Sequence, residues 1–199
     1  LIQTVMLEDF ETPGAWTVKF SRARTGAWKT DKPEVEPSEK WIHWKKSEKQ
    51  QYIEIGKPEP SGQEGDKGMT IMGVRGRFHN KGYNWIVIEP KQDLYMMGKL
   101  LRLRVWVWGG NYDYDLYAVV KNFRNQTFKL HMGSLKFIGW RQMEYSFLNV
   151  PIPQIDVWAP QMKPVQFIRF LMISKVNEWP DKFGIWFDDL QYDANLYDP

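Results

Sequence analysis

The stretch LLRLRVWVW, residues 100–108, decides the fold because two kinds of side chain alternate along it. Every second position is aliphatic, as shown by Leu101, Leu103, Val105 and Val107. The positions between them hold Arg102, Arg104, Trp106 and Trp108. Successive side chains of a β-strand point to opposite faces of its sheet. The pattern therefore predicts a strand with an aliphatic face in a hydrophobic core and an opposite face of guanidinium and indole groups.

The same two-residue period recurs along most of the chain, between short clusters of Gly, Pro, Asn and Asp. The predicted strands are Thr4–Glu11, Trp16–Ser21, Gln51–Ile55, Met69–Phe78, Tyr83–Glu89, Leu100–Trp108, Tyr114–Asn122, Thr127–Leu130, Arg141–Phe147, Phe167–Val176 and Phe183–Tyr192. No window of helical length carries the apolar stripe and end caps of an amphipathic helix. The sequence predicts an all-β fold that forms one domain over residues 1–199.

Three stretches interrupt the strand pattern. Lys29–Gln50 is charged and contains two prolines, and Lys57–Gly68 has the composition of a loop. Leu148–Gln166 carries four prolines, which exclude a central strand. We expect long polar loop insertions at the first two stretches. The third should cross the surface in extended form, with apolar anchors at Ile152, Ile155, Val157 and Trp158.

Composition limits the classes of function. Hydrophobic residues make up 43% of the chain and aromatic residues 16%, so the chain can bury enough apolar surface to fold. The net charge of +3 is too small to indicate a nucleic-acid partner. Cysteine is absent, and no apolar run is long enough for insertion into a membrane. The chain starts at Leu1 rather than Met, which predicts removal of a preceding signal peptide or another N-terminal segment.

Catalytic motifs are missing from the sequence. His43, His79 and His131 share no ligand spacing, and neither a nucleophile elbow nor a phosphate-binding loop is present. Glu34 and Glu36 could suggest a glycosidase carboxylate pair, but they stand between prolines in a charged segment. The sequence therefore predicts no catalytic residues, no enzymatic activity and no required cofactor.

The guanidinium and indole face of residues 100–108 is the candidate binding surface. A turn at residues 109–111 leads to the next strand, which adds tyrosines near the rim of that face. Trp, Tyr and Arg are enriched at interface hot spots. The predicted partner-binding residues are Arg102, Arg104, Trp106, Trp108, Tyr112, Tyr114 and Tyr117. The alternative is that Lys29–Gln50 folds over the indoles through Trp41 and Trp44 and makes them a second internal core.

Two acidic pairs stand in the first and last predicted strands, namely Glu8-Asp9 and Asp188-Asp189. Alternation sends one member of each pair inward, where an unpaired carboxylate is costly. A structural Ca²⁺ could bind the oxygens of Glu8, Asp9, Asp188 and Asp189 if the terminal strands are adjacent. Neighbouring cationic side chains or backbone N–H groups are the alternative, and both hypotheses stay open.

Several stretches together carry a resemblance to a known family. LEDFETPGAW at the N-terminus, FIRFLMISK near the end and the closing GIWFDDLQYD resemble the carbohydrate-binding-module and galactose-binding-like jelly rolls. Within that group, the chain resembles the spirochete flagellar filament outer-layer proteins of the FlaA type. Four stretches together carry this resemblance, namely LEDFETPGAWTV, LRLRVWVWGGNYDYDLYAVVKNF, FKLHMGSLKFIGWRQM and IRFLMISK. The resemblance implies a single jelly-roll β-sandwich of two antiparallel sheets with adjacent terminal strands.

It also implies a secreted protein of the periplasm that coats the periplasmic flagellum and contributes to motility. Its implied partners are the FlaB-type flagellin core and other sheath proteins of the filament. The alternative is a secreted carbohydrate-binding module in which Trp106, Trp108 and Tyr117 stack on sugar rings. Arg102 and Arg104 count against it, because desolvating them beneath a neutral sugar is costly unless they are paired. A jelly-roll glycosidase is the third candidate function, behind these two because the sequence shows no well-placed carboxylate pair.

Overall fold

The computed structural model describes residues 1–21, 42–46, 70–78, 81–158, 161–178 and 182–196. Twelve strands make up its regular structure, and the described residues contain no helix. The strands are β1 Ile2–Glu8, β2 Trp16–Phe20, β3 Ile42–Lys46, β4 Thr70–Arg77, β5 Trp85–Pro90, β6 Leu94–Met96, β7 Lys99–Gly110, β8 Tyr114–Lys121, β9 Thr127–Ser134, β10 Ile138–Ser146, β11 Val165–Ser174 and β12 Lys182–Asn195. No helix that could cross a membrane occurs in these parts of the chain.

The strands form two antiparallel sheets of six strands each. Sheet A has the order β10-β7-β12-β4-β3, and β1 shares with β4 the edge of β12 that faces away from β7. Sheet B has the order β2-β5-β11-β8-β9, with β6 paired to one end of β11. The predicted jelly-roll sandwich of two antiparallel sheets is confirmed, and so is the pairing of the two terminal strands.

Aromatic side chains join the two sheets. Phe170 of sheet B stacks on Trp16 with ring centroids 5.9 Å apart, and on Phe187 of sheet A at 5.0 Å. All three rings are buried. Aromatic contacts of this kind add to the free energy gained from burying apolar surface. The core therefore fixes one sheet against the other and leaves each sheet with an outer face.

The strand predictions miss two strands, and a third prediction is not tested. The short strand β3 lies inside the predicted polar insertion 29–50, where it extends sheet A as an edge strand. Its sequence IHWKK carries the lysines that edge strands use to discourage further pairing, so its composition is that of a surface segment. β6 was not predicted because it has only three residues. The predicted strand Gln51–Ile55 lies outside the described residues.

The described residues of the proline-rich segment, 148–166, form no strand before Val165, where β11 begins, so the predicted boundary at Gln166 is slightly too late. Within these described residues, an antiparallel bridge joins Ile155 and Met162. Of the predicted anchors, Ile152 is buried. Ile155, Val157 and Trp158 are instead 52%, 78% and 94% exposed, so their prediction as anchors is wrong. Apolar composition alone does not distinguish a side chain that turns inward from one that projects.

Candidate partner-binding surface

The side chains of β7 alternate between the two faces of sheet A, as predicted. Leu103, Val105 and Val107 are fully buried in the core. The interleaved arginines and tryptophans therefore lie on the outer face of the sheet. One position departs from the prediction, because a register irregularity between β7 and β12 at the start of the strand buries Leu100 and leaves Leu101 only half-buried.

Pairing between strands extends the indoles of β7 into a row. Trp108 lies directly opposite Trp140 of β10 on one side and Trp186 of β12 on the other. Residues directly opposite each other in an antiparallel pair share one face. Together with Trp106, these indoles pack against the fully buried Ile71. We name Trp106, Trp108, Trp140 and Trp186 the tryptophan face.

Sequence reasoning missed two members of this face, Trp140 and Trp186. Trp186 lies within a predicted strand, and Trp140 directly precedes another. Alternation could therefore have assigned each of them to a face. Their meeting with Trp108 depends on which strands are neighbours, and the alternation pattern does not contain that information.

Charged side chains surround the indoles. The guanidinium carbon of Arg75 lies 5.9 Å from the centre of the Trp186 ring, within cation–π range. Both Arg75 and Arg102 are exposed. An apolar centre with a charged rim is the usual anatomy of a protein–protein interface.

Arg104 has a different environment from Arg102. Its Nη2 lies 2.5 Å from Asp193 Oδ1 and donates to Thr4 Oγ1 at 3.2 Å. The Thr4 hydroxyl in turn donates to the same Asp193 oxygen at 2.7 Å. These contacts join β7, β12 and β1, and the Arg104 and Asp193 side chains are mostly buried. Arg104 thus stabilises the neighbouring terminal strands, and its charge is already paired.

The predicted tyrosines do not surround this face. Tyr114 is buried in the core, 5.7 Å from the Phe183 ring, and the Tyr112 hydroxyl accepts a hydrogen bond from the Gly184 N–H. Tyr117 lies on the outer face of sheet B, beside the ring of His131. The prediction of one shared surface is wrong for these tyrosines. The reason is that residues 111–113 carry the chain from β7 in sheet A to β8 in sheet B, with Asn111 at a φ of 61°.

The acidic pair at the N-terminus finds partners within the chain. The Glu8 carboxylate accepts hydrogen bonds from the Phe10 backbone N–H at 2.8 Å and the Trp16 indole N–H at 3.2 Å. Burial raises the pKa of Glu8, and these two hydrogen bonds oppose the rise. Asp9 is exposed and accepts from the Glu11 N–H. Backbone and indole N–H groups, the alternative to calcium, therefore serve Glu8.

The C-terminal pair lies at an irregularity of β12. Asp188 and Asp189 are both buried, and the Asp189 N–H donates to the Asp188 carboxylate at 3.0 Å. Asp189 has a φ of 46°, which interrupts the alternation that the sequence prediction assumed. Among the described residues, no three acidic or histidine side chains lie close enough together to hold a metal ion. A structural calcium bound by these acidic pairs stays a prediction.

Comparison with known proteins gives one family and several structures of similar architecture. The sequence model of the family "Flagellar filament outer layer protein Flaa" matches residues 34–198. A flagellar filament outer layer-like protein of Brachyspira hyodysenteriae (strain ATCC 49526 / WA1) is 25% identical over 133 residues, which cover 64% of this chain and 58% of that protein. The match thus spans less than two thirds of that relative.

Two solved carbohydrate-binding modules have related folds. The family 11 module of the cellulosomal cellulase Lic26A-Cel5E of Clostridium thermocellum is 12% identical, with a TM-score of 0.45, and the match covers 96% of this chain and 94% of the module. TmCBM61, solved with β-1,4-galactotriose, is 10% identical with a TM-score of 0.43, over 94% of this chain and 99% of that one.

The family model matches residues 34–198, which are most of this chain. The chain therefore belongs to the flagellar filament outer layer protein family.

Proposed function

We propose that this chain is a non-catalytic structural protein of the periplasmic flagellum. In this role it binds the flagellin core or other sheath proteins through the tryptophan face and contributes to motility. The family match over residues 34–198 carries the proposal, because that family forms the outer layer of the filament. A layer protein needs a surface that recognises its neighbours, and the row of indoles on sheet A supports such a role.

The anatomy of the tryptophan face fits a protein partner. Three of its indoles pack against the buried cluster of Ile71 and Trp140, so a partner would meet a packed apolar surface. Ordered side chains lose little conformational entropy on binding. The exposed Arg75 and Arg102 lie around the indoles, where charges favour encounter and orientation more than affinity.

The absence of catalysis is part of the same proposal. Glu34, Glu36 and His79 lie outside the described residues. His131 is exposed on the outer face of sheet B, and its Nε2 lies 3.6 Å from the Asp115 carboxylate. An exposed imidazole beside a carboxylate is not a site in itself, because no nucleophile motif accompanies it. Incubation of the pure protein with polysaccharides should release no reducing sugar.

The binding role can be tested at the rim without disturbing the packed indoles. A double variant, Arg75→Ala with Arg102→Ala, removes two exposed charges beside the tryptophan face. The matched control, Arg124→Ala with Lys129→Ala, removes two exposed charges and cation–π contacts with Phe123 and Tyr117. We expect the first variant to co-sediment less with purified flagellar filaments and to keep its melting temperature. Equal co-sedimentation of both variants would contradict the proposal.

Glycan binding is the second candidate function, and the row of indoles favours it. The pairing of Arg104 with Asp193 removes part of the argument against a neutral ligand. However, Tyr117 lies on the other sheet, so it does not complete a platform with Trp106 and Trp108. Calorimetric titration with β-1,4-linked oligosaccharides tests this alternative. Saturable heat that Trp106→Ala abolishes would favour a glycan ligand over a protein partner.

A further inference from the structure

A second exposed apolar surface lies on the proline-rich segment. Five of its side chains between residues 148 and 158 are more than half exposed, namely Leu148, Val150, Ile155, Val157 and Trp158. Trp158 is 94% exposed, the highest value among the large hydrophobic side chains described. Concentrated exposure of this kind marks an interaction surface in a folded protein. We name these five residues the Trp158 patch.

The loop that carries Trp158 is fixed at its base. Gln154 is buried, and its Nε2 donates to the carbonyl oxygens of Gly98 at 2.8 Å and Lys163 at 3.2 Å. Its Oε1 accepts from the Leu100 N–H at 3.2 Å. The Lys163 N–H also donates to the Gln154 carbonyl at 2.8 Å. These bonds tie both ends of the loop to β7, so the loop loses little freedom when its tip is bound.

A local hydrogen bond also places the backbone of Trp158. The Trp158 N–H donates to the Asp156 carboxylate at 3.1 Å, an aspartate turn of a common type. Beside the loop lies a cavity of about 400 Å³, which is open to the surface. Leu100, Phe147, Ile152 and Met162 contribute to its apolar lining. Two residues of the Trp158 patch, Leu148 and Ile155, also line this cavity, so the exposed indole lies three residues along the chain from the cavity wall.

We propose that the Trp158 patch joins two copies of this chain about a two-fold axis, with Trp158 of each copy in the cavity of the other. A knob and a cavity on the same patch make that patch self-complementary, which is the requirement for a two-fold contact. The most frequent oligomers of soluble proteins are dimers of this type. The proposal concerns a different surface from the tryptophan face and does not rest on the proposed function.

The area of the patch is sufficient for a dimer. An aromatic side chain buries about 150 to 250 Å², so Trp158 and four exposed aliphatic side chains supply about 600 Å² per copy. The pair would bury about 1,200 Å² in total, at the lower end of specific interfaces. The cavity begins at Leu100, about 20 Å along β7 from Trp106 at the usual rise per residue. The tryptophan face therefore stays accessible in the pair.

Sedimentation velocity of the full chain at increasing concentration tests the pair. We expect wild type to dimerise at about 100 μM, a weak affinity that suits an interface at the lower end of the specific range. Trp158→Ser should raise the dissociation constant by about 30-fold or more, as expected for a hot-spot indole, without lowering the melting temperature. The control Trp85→Ser changes a 41% exposed tryptophan on sheet B and should dimerise like wild type. A wild-type chain that stays monomeric would overturn the proposal, and so would equal losses in both variants.

A single cysteine distinguishes a two-fold contact from other modes of association. The natural chain has no cysteine, so Ile155→Cys introduces the only thiol. Ile155 lines the cavity and is three residues from Trp158, so the proposed two-fold contact would bring it near its counterpart in the other copy. We expect oxidised glutathione to convert this variant to a covalent dimer, whereas Val176→Cys, outside the patch, should stay monomeric under denaturing conditions. Failure of Ile155→Cys to cross-link while the chain still associates would overturn the two-fold arrangement.

Discussion

Gly73 lies directly opposite Trp186 across the β4–β12 pair, and the indole occupies the space where a side chain at residue 73 would stand. A Cβ atom added at Gly73 would lie 2.2 Å from the Trp186 ring. The row that begins at Trp140 and continues through Trp108 to Trp186 therefore extends over the backbone of β4. In the sequence this glycine had no evident role.

The first prediction concerns this close approach. Gly73→Ala should lower the free energy of unfolding by about 1 to 3 kcal/mol, the usual cost of overpacking. The matched control is Gly184→Ala, because a Cβ at Gly184 meets only Arg75 Cγ at 3.7 Å. Urea unfolding followed by circular dichroism measures both. Equal losses of unfolding free energy in the two variants would show that the contact with Trp186 does not exclude a side chain at residue 73.

A second prediction tests how closely Trp140 is packed within the tryptophan face. Trp140 is 8% exposed and packs against Ile71, so Trp140→Ala should lower the free energy of unfolding by about 3 kcal/mol. Trp85→Ala, at a 41% exposed tryptophan, should cost less than about 1 kcal/mol. Thermal and urea unfolding provide the comparison. A loss of unfolding free energy in Trp140→Ala as small as that in Trp85→Ala would mean that the Trp140 indole is not closely packed.

The third prediction concerns the pairing of Arg104 with Asp193. Both side chains are mostly buried, and the guanidinium also donates to Thr4. A double-mutant cycle with Arg104→Ala and Asp193→Ala should give a coupling free energy of about 1 to 3 kcal/mol, typical of a charged hydrogen bond. The same cycle on Lys136 and Asp113, which are 61% and 34% exposed, should give less than about 1 kcal/mol. Similar coupling in the two cycles would argue against a stabilising role for Arg104.

The fourth prediction is a pH dependence from Glu8. Burial raises its pKa in the folded state, so the folded chain holds this proton to higher pH than the unfolded chain. The stabilisation that the protonated Glu8 provides is therefore fully present below its unfolded pKa of about 4.5. It is lost as the pH rises through the higher pKa of Glu8 in the folded state. Unfolding free energies of wild type and Glu8→Gln at several pH values test the sign. The advantage of wild type over the variant should shrink as the pH rises, and a growing advantage would contradict the raised pKa.

The alternation of side chains within a strand was readable from the sequence because it is a local property. A period of two residues follows from the geometry of the extended backbone, whatever strand lies alongside. It correctly placed Val105 and Val107 in the core, with Trp106 and Trp108 on the outer face. The all-β class followed in the same way, and the resemblance to carbohydrate-binding-module-like jelly rolls implied that the first and last strands pair, as β1 and β12 do.

The neighbours of each strand depended on the tertiary structure, because strand pairing joins residues that are far apart in the chain. Trp140 and Trp186 reach Trp108 only through the order β10-β7-β12, and Tyr114 enters the core because β8 belongs to the other sheet. Local irregularities were equally hidden, as at Asp189, where a left-handed backbone conformation interrupts the alternation. The sequence by itself determined which residues share a face of one strand. Packing between distant segments decided which faces came together, because that choice maximises apolar burial over the whole chain rather than within any segment.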